Sequence, residues 1–166
     1  TRDIYYSTIR AHDLAVTNIT PFKTVVGQNY SLFINVTVEN QGDTTETFNL
    51  TTYANATIIG TVTNVTLTSG NSTTITFTWN TTGVPYGNYT ISAVADTLLG
   101  ETETTNNTYI NGVVLITVPG DADGDGLVDV SDLSILGYYW FNVRGYDPCV
   151  DFNNDNFIDV SDFAIL

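Results

Sequence analysis

The chain has 166 residues, 42% of them hydrophobic, and a formal net charge of −14 at pH 7. Only four basic residues stand against 18 acidic ones, so the chain lacks the Lys/Arg footprint that a phosphate backbone requires, and we expect no nucleic-acid partner. No run of 18 apolar residues is present, which predicts no membrane span.

The sequence begins at Thr1, has no Met and shows no signal peptide, as in a mature secreted protein. We therefore expect an extracellular or cell-surface location. Cys149 is the single cysteine, so no internal disulfide can form.

Residues 1–11 are interpreted as an N-terminal extension. Apolar side chains recur between residues 3 and 9, at Ile4, Tyr5, Tyr6 and Ile9. This segment predicts an extra strand, which either pairs within its own molecule or is donated to the open sheet edge of a neighbour.

Residues 12–118 show the alternation of a half-buried sheet, with Ile75, Phe77 and Trp79 on one side of a run and threonines on the other. Leu32, Ile34, Val36 and Val38 form a matching inward row, and no helical period competes. Seven short strands separated by turn signals predict a mainly β fold, a seven-stranded immunoglobulin-like sandwich. The predicted strands are residues 13–20, 31–40, 46–54, 57–67, 72–80, 88–96 and 109–118.

Asparagine sequons are dense in this region and absent from the C-terminal part of the chain. In a strand, the Asn and the Thr of Asn-x-Thr point outward together, so sequon and strand pattern agree, and we expect N-linked glycans at several sites. The alternative is an unmodified Asn/Thr-rich outer face that simply favours strands. The sequons are at Asn18, Asn29, Asn35, Asn49, Asn55, Asn64, Asn71, Asn80, Asn88 and Asn106.

Three segments of the β region carry a resemblance to a known family: residues 13–19 (DLAVTNI), 36–42 (VTVENQG) and 101–107 (ETETTNN). Over residues 12–118 the chain resembles the CARDB family, cell-adhesion-related domains of secreted prokaryotic proteins. The resemblance implies a surface-exposed adhesion or spacer module, and it brings no catalytic residues. The Asn/Thr-rich style is similar to that of archaeal surface proteins.

Pro119 and Gly120 form a linker to a second module over residues 121–166. Two residues are too few for a flexible tether, so the modules are expected to keep one relative geometry. Residues 119–166 hold ten acidic residues and one base, Arg144. Such a charge density repels itself unless cations neutralise it.

A twelve-residue pattern occurs twice in this module, as DADGDGLVDVSD at residues 121–132 and DFNNDNFIDVSD at residues 151–162. Calcium loops converge several oxygens on one ion from alternating positions and close with an acid on the following helix. The pattern predicts two Ca²⁺ ions, with an acidic disordered tail as the alternative. The predicted ligands are Asp121, Asp123, Asp125, Asp129 and Asp132 with the carbonyl of Leu127, and Asp151, Asn153, Asp155, Asp159 and Asp162 with the carbonyl of Phe157.

Position 12 is Asp rather than Glu in both copies, and no entering helix precedes either loop. Duplicated loop-plus-helix units of this kind resemble dockerin type I modules, which implies two Ca²⁺ ions and a cohesin-type protein partner. The resemblance places recognition at loop positions 10 and 11 and on the following helix. Because Val-Ser replaces the usual Ser-Thr, we expect a partner other than a typical cellulosomal cohesin. The implied contact residues are Val130, Ser131, Leu133, Val160, Ser161 and Phe163.

Catalysis fits poorly, because His12 is the only histidine and most acids are assigned to calcium. We expect a non-catalytic, glycosylated, calcium-binding protein that assembles with copies of itself into an extracellular filament or surface lattice. The alternative is a dockerin-bearing spacer fragment of a larger enzyme or adhesin that docks to a cohesin-like partner. A weaker hypothesis is sugar binding through Trp79 and Tyr86.

Overall fold

The structure, a computed structural model, describes residues 10–166, and the strand predicted over residues 3–9 lies outside this range. Within this range strands dominate up to residue 117, and helices occur only after residue 129. The strands are β1 (Leu14–Pro21), β2 (Val25–Gly27), β3 (Ser31–Asn40), β4 (Glu46–Ala54), β5 (Thr57–Leu67), β6 (Ser72–Asn80), β7 (Gly87–Ala95) and β8 (Thr108–Thr117). The helices are α1 (Val130–Tyr139) and α2 (Val160–Phe163), with a short 3-10 turn over Trp140–Asn142.

The strands form two sheets that enclose one core. The first sheet has the order β1-β3-β6, and the second has the order β2-β8-β7-β4-β5. All pairs are antiparallel except β2 with β8. The predicted mainly β fold of two packed sheets is confirmed.

The alternation of apolar and polar side chains along β3 determines which face of the strand packs into the core. Leu32, Ile34, Val36 and Val38 are completely buried, while the residues between them are exposed or half-buried. Their neighbours on β6 include Phe77, which is paired with Ile34 on the adjacent strand of the same sheet. Since successive side chains of a strand point to opposite faces, this single register buries the whole apolar row.

The predicted count of seven strands was wrong, because the described residues of the sandwich contain eight. The additional strand is β2, which pairs in parallel with β8 from Val25 opposite Leu115 to Gly27 opposite Thr117. A strand of three residues, Val-Val-Gly, is too short to show an alternation of apolar and polar side chains, so the sequence pattern did not predict it. The other seven strands agree with their predicted bounds to within one residue.

The C-terminal module has a small apolar core of its own, and it lies at the end of the sandwich where β8 finishes. A Cβ on Gly27 would lie only 2.7 Å from the Cα of Pro119, so the chain leaves β8 in close contact with β2. None of the helices described between residues 10 and 166 is both long and apolar enough to cross a bilayer. The buried residues of the small core are Ala122, Leu136, Val150, Phe152 and Ile158.

Candidate metal centre

Three carboxylates converge in the first loop. Oxygen atoms of Asp121, Asp123 and Asp132 all lie within 4.8 Å of one another. Asp121 is 2% exposed and Asp132 is 1% exposed, whereas Asp123 faces solvent. Carboxylates brought this close repel each other unless a cation lies between them, so the arrangement suits a hard divalent ion.

Backbone N–H groups hold the two buried carboxylates of this loop in place. Asp132 accepts hydrogen bonds from Ala122 at 2.7 Å and from Asp129 at 2.8 Å. Asp121 accepts from Gly124 at 2.7 Å and from Gly126 at 2.9 Å. Burial alone would raise the pKa of Asp132, but these backbone bonds outweigh it and lower that pKa, so the carboxylate stays charged.

The second loop repeats this geometry. Asp162 accepts from the backbone N–H of Phe152 at 2.8 Å and of Asp159 at 3.0 Å, and Asp151 accepts from Asn156 at 2.9 Å. Because Asn153 stands where the first loop has Asp123, the second loop brings fewer negative charges together. Burial raises the pKa of the Asp162 carboxyl.

Left-handed backbone shapes both loops at two positions each. Gly124 and Gly126 have φ values of 80° and 90°, and Asn154 and Asn156 have 62° and 68°. Gly126 and Asn156 stand at the sixth position of their loops, where a calcium loop makes its sharp turn. Glycine and asparagine are the residues that adopt a left-handed backbone at least cost, which accounts for their placement.

The remaining predicted side-chain ligands lie outside the group of three converging carboxylates. Asp125 accepts from the backbone N–H of Leu127 at 2.8 Å, and Asp155 accepts from that of Phe157 at the same distance. Position 9 instead caps a helix. Asp129 accepts from Ser131 and Asp159 accepts from Ser161, each at 2.7 Å.

The residues predicted to contact a partner lie on the surface of the module. Val130 is 71% exposed and Val160 is 66% exposed, at equivalent positions after the two loops. Leu133 and Phe163 are also exposed, as are Ser131 and Ser161.

An aromatic cluster includes Phe163, and its other members come from the aromatic run at Trp140-Phe141 and from the second loop. The ring of Phe141 lies 5.4 Å from that of Trp140 and 6.1 Å from that of Phe157. Trp140 also lies 6.5 Å from Phe163. Phe141, Phe157 and Phe163 remain about half exposed, so the rings form a partly open apolar surface.

The ten sequons differ in the availability of their side-chain nitrogens. Asn49 and Asn106 are half-buried, and their nitrogens donate to Asp96 at 2.8 Å and to Asp13 at 3.0 Å. A glycan is attached through that nitrogen, so these two positions are poorly placed for it. The other eight asparagines are exposed: Asn18, Asn29, Asn35, Asn55, Asn64, Asn71, Asn80 and Asn88.

The groups considered for catalysis lie apart. His12 contacts Glu46, with 2.7 Å between Nδ1 and Oε1, at the end of the sandwich away from the C-terminal module. Cys149 is half-buried beside Thr24 at the other end. Trp79, considered for sugar binding, is 6% exposed and packs edge-on against Tyr89, whereas Tyr86 is 57% exposed.

Comparison with known proteins identifies the sandwich. A crystal structure of a CARDB domain in complex with di-metal ions, from Pyrococcus furiosus, is 28% identical with a TM-score of 0.58. That match covers 68% of this chain and 99% of that one. A domain assigned to a cell surface protein from Methanosarcina acetivorans is 30% identical with a TM-score of 0.51, and that match covers 63% of this chain and 91% of that one.

No curated protein sequence matches the chain. The CARDB family model matches residues 11–111, which include most of the sandwich and neither of the two Asp-rich loops. This range agrees with the region whose motifs resemble the family in sequence. The chain therefore belongs to the CARDB family.

Proposed function

We propose that the chain is a non-catalytic structural or adhesion protein of the cell exterior whose C-terminal module binds two calcium ions. The observation that carries this proposal is the convergence of Asp121, Asp123 and Asp132 within 4.8 Å. The backbone bonds around Asp132 recur around Asp162, which supports a second site of the same kind.

The chemistry of the donors favours calcium. Every predicted ligand offers an oxygen, from carboxylates, from the amide of Asn153 or from the carbonyls of Leu127 and Phe157, and hard cations prefer such donors. No cysteine or histidine is among them, so the set suits zinc or copper poorly. The di-metal ions in the Pyrococcus domain support metal binding within the family, and the family match to this chain ends at residue 111, before these loops.

We propose that the exposed surface after the two loops binds a protein partner. Val130 and Val160 are among the most exposed apolar side chains of the described residues, and Leu133 and Phe163, three residues later on α1 and α2, are exposed as well. Apolar side chains clustered on a surface are typical of protein contact sites. The partner we favour is another copy of the chain, which would build a filament or surface lattice by repeated contacts.

A cohesin-like domain on a different protein is the second candidate partner. The observation that favours it is that Val130 and Val160 occupy equivalent positions after the two loops, both exposed, as the dockerin resemblance implies. In this reading the sandwich serves as a spacer.

Glycans would divide the molecule into two kinds of surface. The eight exposed sequons all lie on the sandwich, and residues 119–166 contain none. Several N-linked glycans would cover the outer faces of the sheets and leave the C-terminal module free to contact proteins.

The test of assembly is electron microscopy and size-exclusion chromatography of the purified protein in calcium and after chelation. Calcium-dependent particles that dissociate with chelator would support the self-assembling structural protein. A stable monomer in calcium would contradict self-assembly and favour the cohesin-like partner. Failure to bind calcium at all, measured by calorimetry, would overturn the proposal.

A further inference from the structure

Lys23 is a buried lysine at the junction of the two modules. It lies between β1 and β2 of the sandwich and is 2% exposed. Its ammonium nitrogen donates a hydrogen bond to the backbone carbonyl of Asp151, the first residue of the second loop. Lysines are rarely buried to this extent unless neighbouring groups accept hydrogen bonds from the ammonium or balance its charge.

The counter-charges that surround this ammonium come from the C-terminal module. Burial lowers the pKa of Lys23, and the negative charges of Asp151, Asp162 and Asp147 act in the opposite direction. A buried cation is tolerated only beside such anions. The folded second loop therefore supplies the environment in which Lys23 can remain inside.

Further contacts attach the same loop to the sandwich. The side-chain nitrogen of Asn154 donates to the carbonyl of Ser31 at 2.6 Å. The ring of Phe22, next to Lys23, lies 6.1 Å from that of Tyr146, whose hydroxyl donates to the carboxylate of Asp151 at 2.5 Å. The second loop is thus held to the segment from Phe22 to Ser31 by polar and aromatic contacts.

The first loop meets the sandwich differently. Thr117 at the end of β8 donates to the carboxylate of Asp121 at 2.5 Å. A Cβ on Gly124 would lie 3.0 Å from Leu115 and 3.3 Å from Val25, so the neighbours of Gly124 are apolar. The structure places no basic side chain of residues 10–166 in hydrogen-bond contact with this loop. The two loops are therefore inequivalent in how they contact the sandwich.

We propose that Lys23 is a positioning residue that couples the second loop to the sandwich, so that calcium binding in that loop orders residues 22–31 of the sandwich as well. The inference depends on the calcium sites of the proposed function. Calcium gathers the loop and presents the Asp151 carbonyl and the surrounding carboxylates to the ammonium. By linkage, whatever stabilises the folded loop also stabilises the segment that docks on it.

The test is hydrogen–deuterium exchange with mass spectrometry on the full chain, with and without calcium. We compare the parent protein with Lys23→Met, which keeps the apolar stem and removes the charge. The matched control is Arg10→Gln, which removes a positive charge at the Asp13 ion pair, at the opposite end of the sandwich. Peptides from β3 and β6 report whether each variant is folded.

In the parent protein and in the Arg10→Gln control, calcium is expected to slow exchange in residues 121–166 and also in residues 22–31. In Lys23→Met, the protection of residues 121–166 remains and that of residues 22–31 is lost. Asn154→Gly, which removes the bond to Ser31 while keeping a residue suited to positive φ, is expected to weaken the same protection.

Protection confined to residues 121–166 in the parent protein would overturn the coupling and leave the calcium sites intact. Full protection of residues 22–31 in Lys23→Met would also overturn it. If Lys23→Met does not fold, the Asn154→Gly variant decides, and unchanged protection in that variant contradicts the proposal. Absence of any calcium effect in residues 121–166 would instead overturn the proposed function.

Discussion

The carboxylate of Asp132 accepts a hydrogen bond of 2.7 Å from the backbone N–H of Ala122, ten residues earlier in the chain. This bond joins the start of the first loop to its last residue. The same carboxylate belongs to the group that converges within 4.8 Å. One side chain therefore both fixes the loop and contributes to the candidate site, which makes it the most informative position to change.

Replacing Asp132 with Asn is expected to reduce calcium binding from two ions to one per chain. The substitution removes one negative charge and one acceptor oxygen from a site of three carboxylates, and it puts an amide N–H₂ where an oxygen accepts from the backbone. Isothermal titration calorimetry measures the stoichiometry. The control is Asp43→Asn, an exposed acid of the sandwich that removes the same charge elsewhere. Two ions bound with unchanged affinity in Asp132→Asn would contradict the assignment.

Removal of calcium is expected to unfold the C-terminal module and leave the sandwich folded. The module has ten acids, one base and only five buried apolar residues, so without ions its charge repulsion opposes a small core. Circular dichroism should show loss of helix with chelator and its return with calcium, while the β signal stays. Helix content that is the same with and without calcium would contradict this expectation.

The environment of Glu46 predicts that the stability of the sandwich depends on pH. Burial alone would raise the pKa of Glu46, but hydrogen bonds from Thr44 and His12 outweigh it and hold the pKa below its usual value of 4.5. The unfolded state therefore binds a proton more readily, and the stabilisation from Glu46 is present above that value and lost as the pH falls through the lowered pKa.

Denaturant unfolding of the parent protein and of Glu46→Gln across pH 3 to 7 measures this effect. The free energy of unfolding should differ by about 1 kcal/mol near neutral pH, the typical contribution of a hydrogen bond, and the difference should shrink in acid. Glu39→Gln, a partly exposed acid on β3, serves as the control. A difference that is the same at pH 3 and pH 7 would argue against the role given to Glu46.

Glycan occupancy is expected to follow the exposure of each asparagine together with the partner of its side-chain nitrogen. The nitrogens of Asn18 and Asn71 also donate, but to neighbouring threonines, and both residues are exposed. Mass spectrometry of peptides from the native protein should find glycans among the eight exposed sequons and none at Asn106, whose nitrogen donates to the buried Asp13. Asn49 is expected to be unmodified for the same reason, since its nitrogen donates to Asp96. Full occupancy of Asn106 would show that the local structure differs from the one described.

Alternation was sufficient to place most of the sandwich from the sequence. Along β3 every second residue from Leu32 to Val38 is apolar and buried, so the pattern and the structure agree. The strand β2 escaped prediction because its pairing with β8 depends on residues about ninety positions later in the chain. Pairing over such a separation leaves no trace in a short local window.

The internal repeat was sufficient to predict the two loops but not their contacts with the sandwich. The repeat at an offset of 30 residues identified both copies of the loop, and the structure gives both the same left-handed backbone at the sixth position, at Gly126 and Asn156. The repeat gave no information on Lys23, because the reason for burying a lysine between β1 and β2 lies in the fold of the second loop. A contact between separate modules is set by tertiary structure, which local pattern does not encode.

The parallel pairing of β2 with β8 has a mechanical consequence. β1 starts at one end of the sandwich, and the chain leaves β8 at the other, so tension applied between Asp13 and Pro119 runs along the strands. This tension acts in shear on the paired residues from Val25–Leu115 to Gly27–Thr117. The backbone hydrogen bonds between them must therefore break together rather than one after another. A protein of the cell exterior pulled along its length would therefore load this three-residue strand in shear, together with the pairing of β1 with β3.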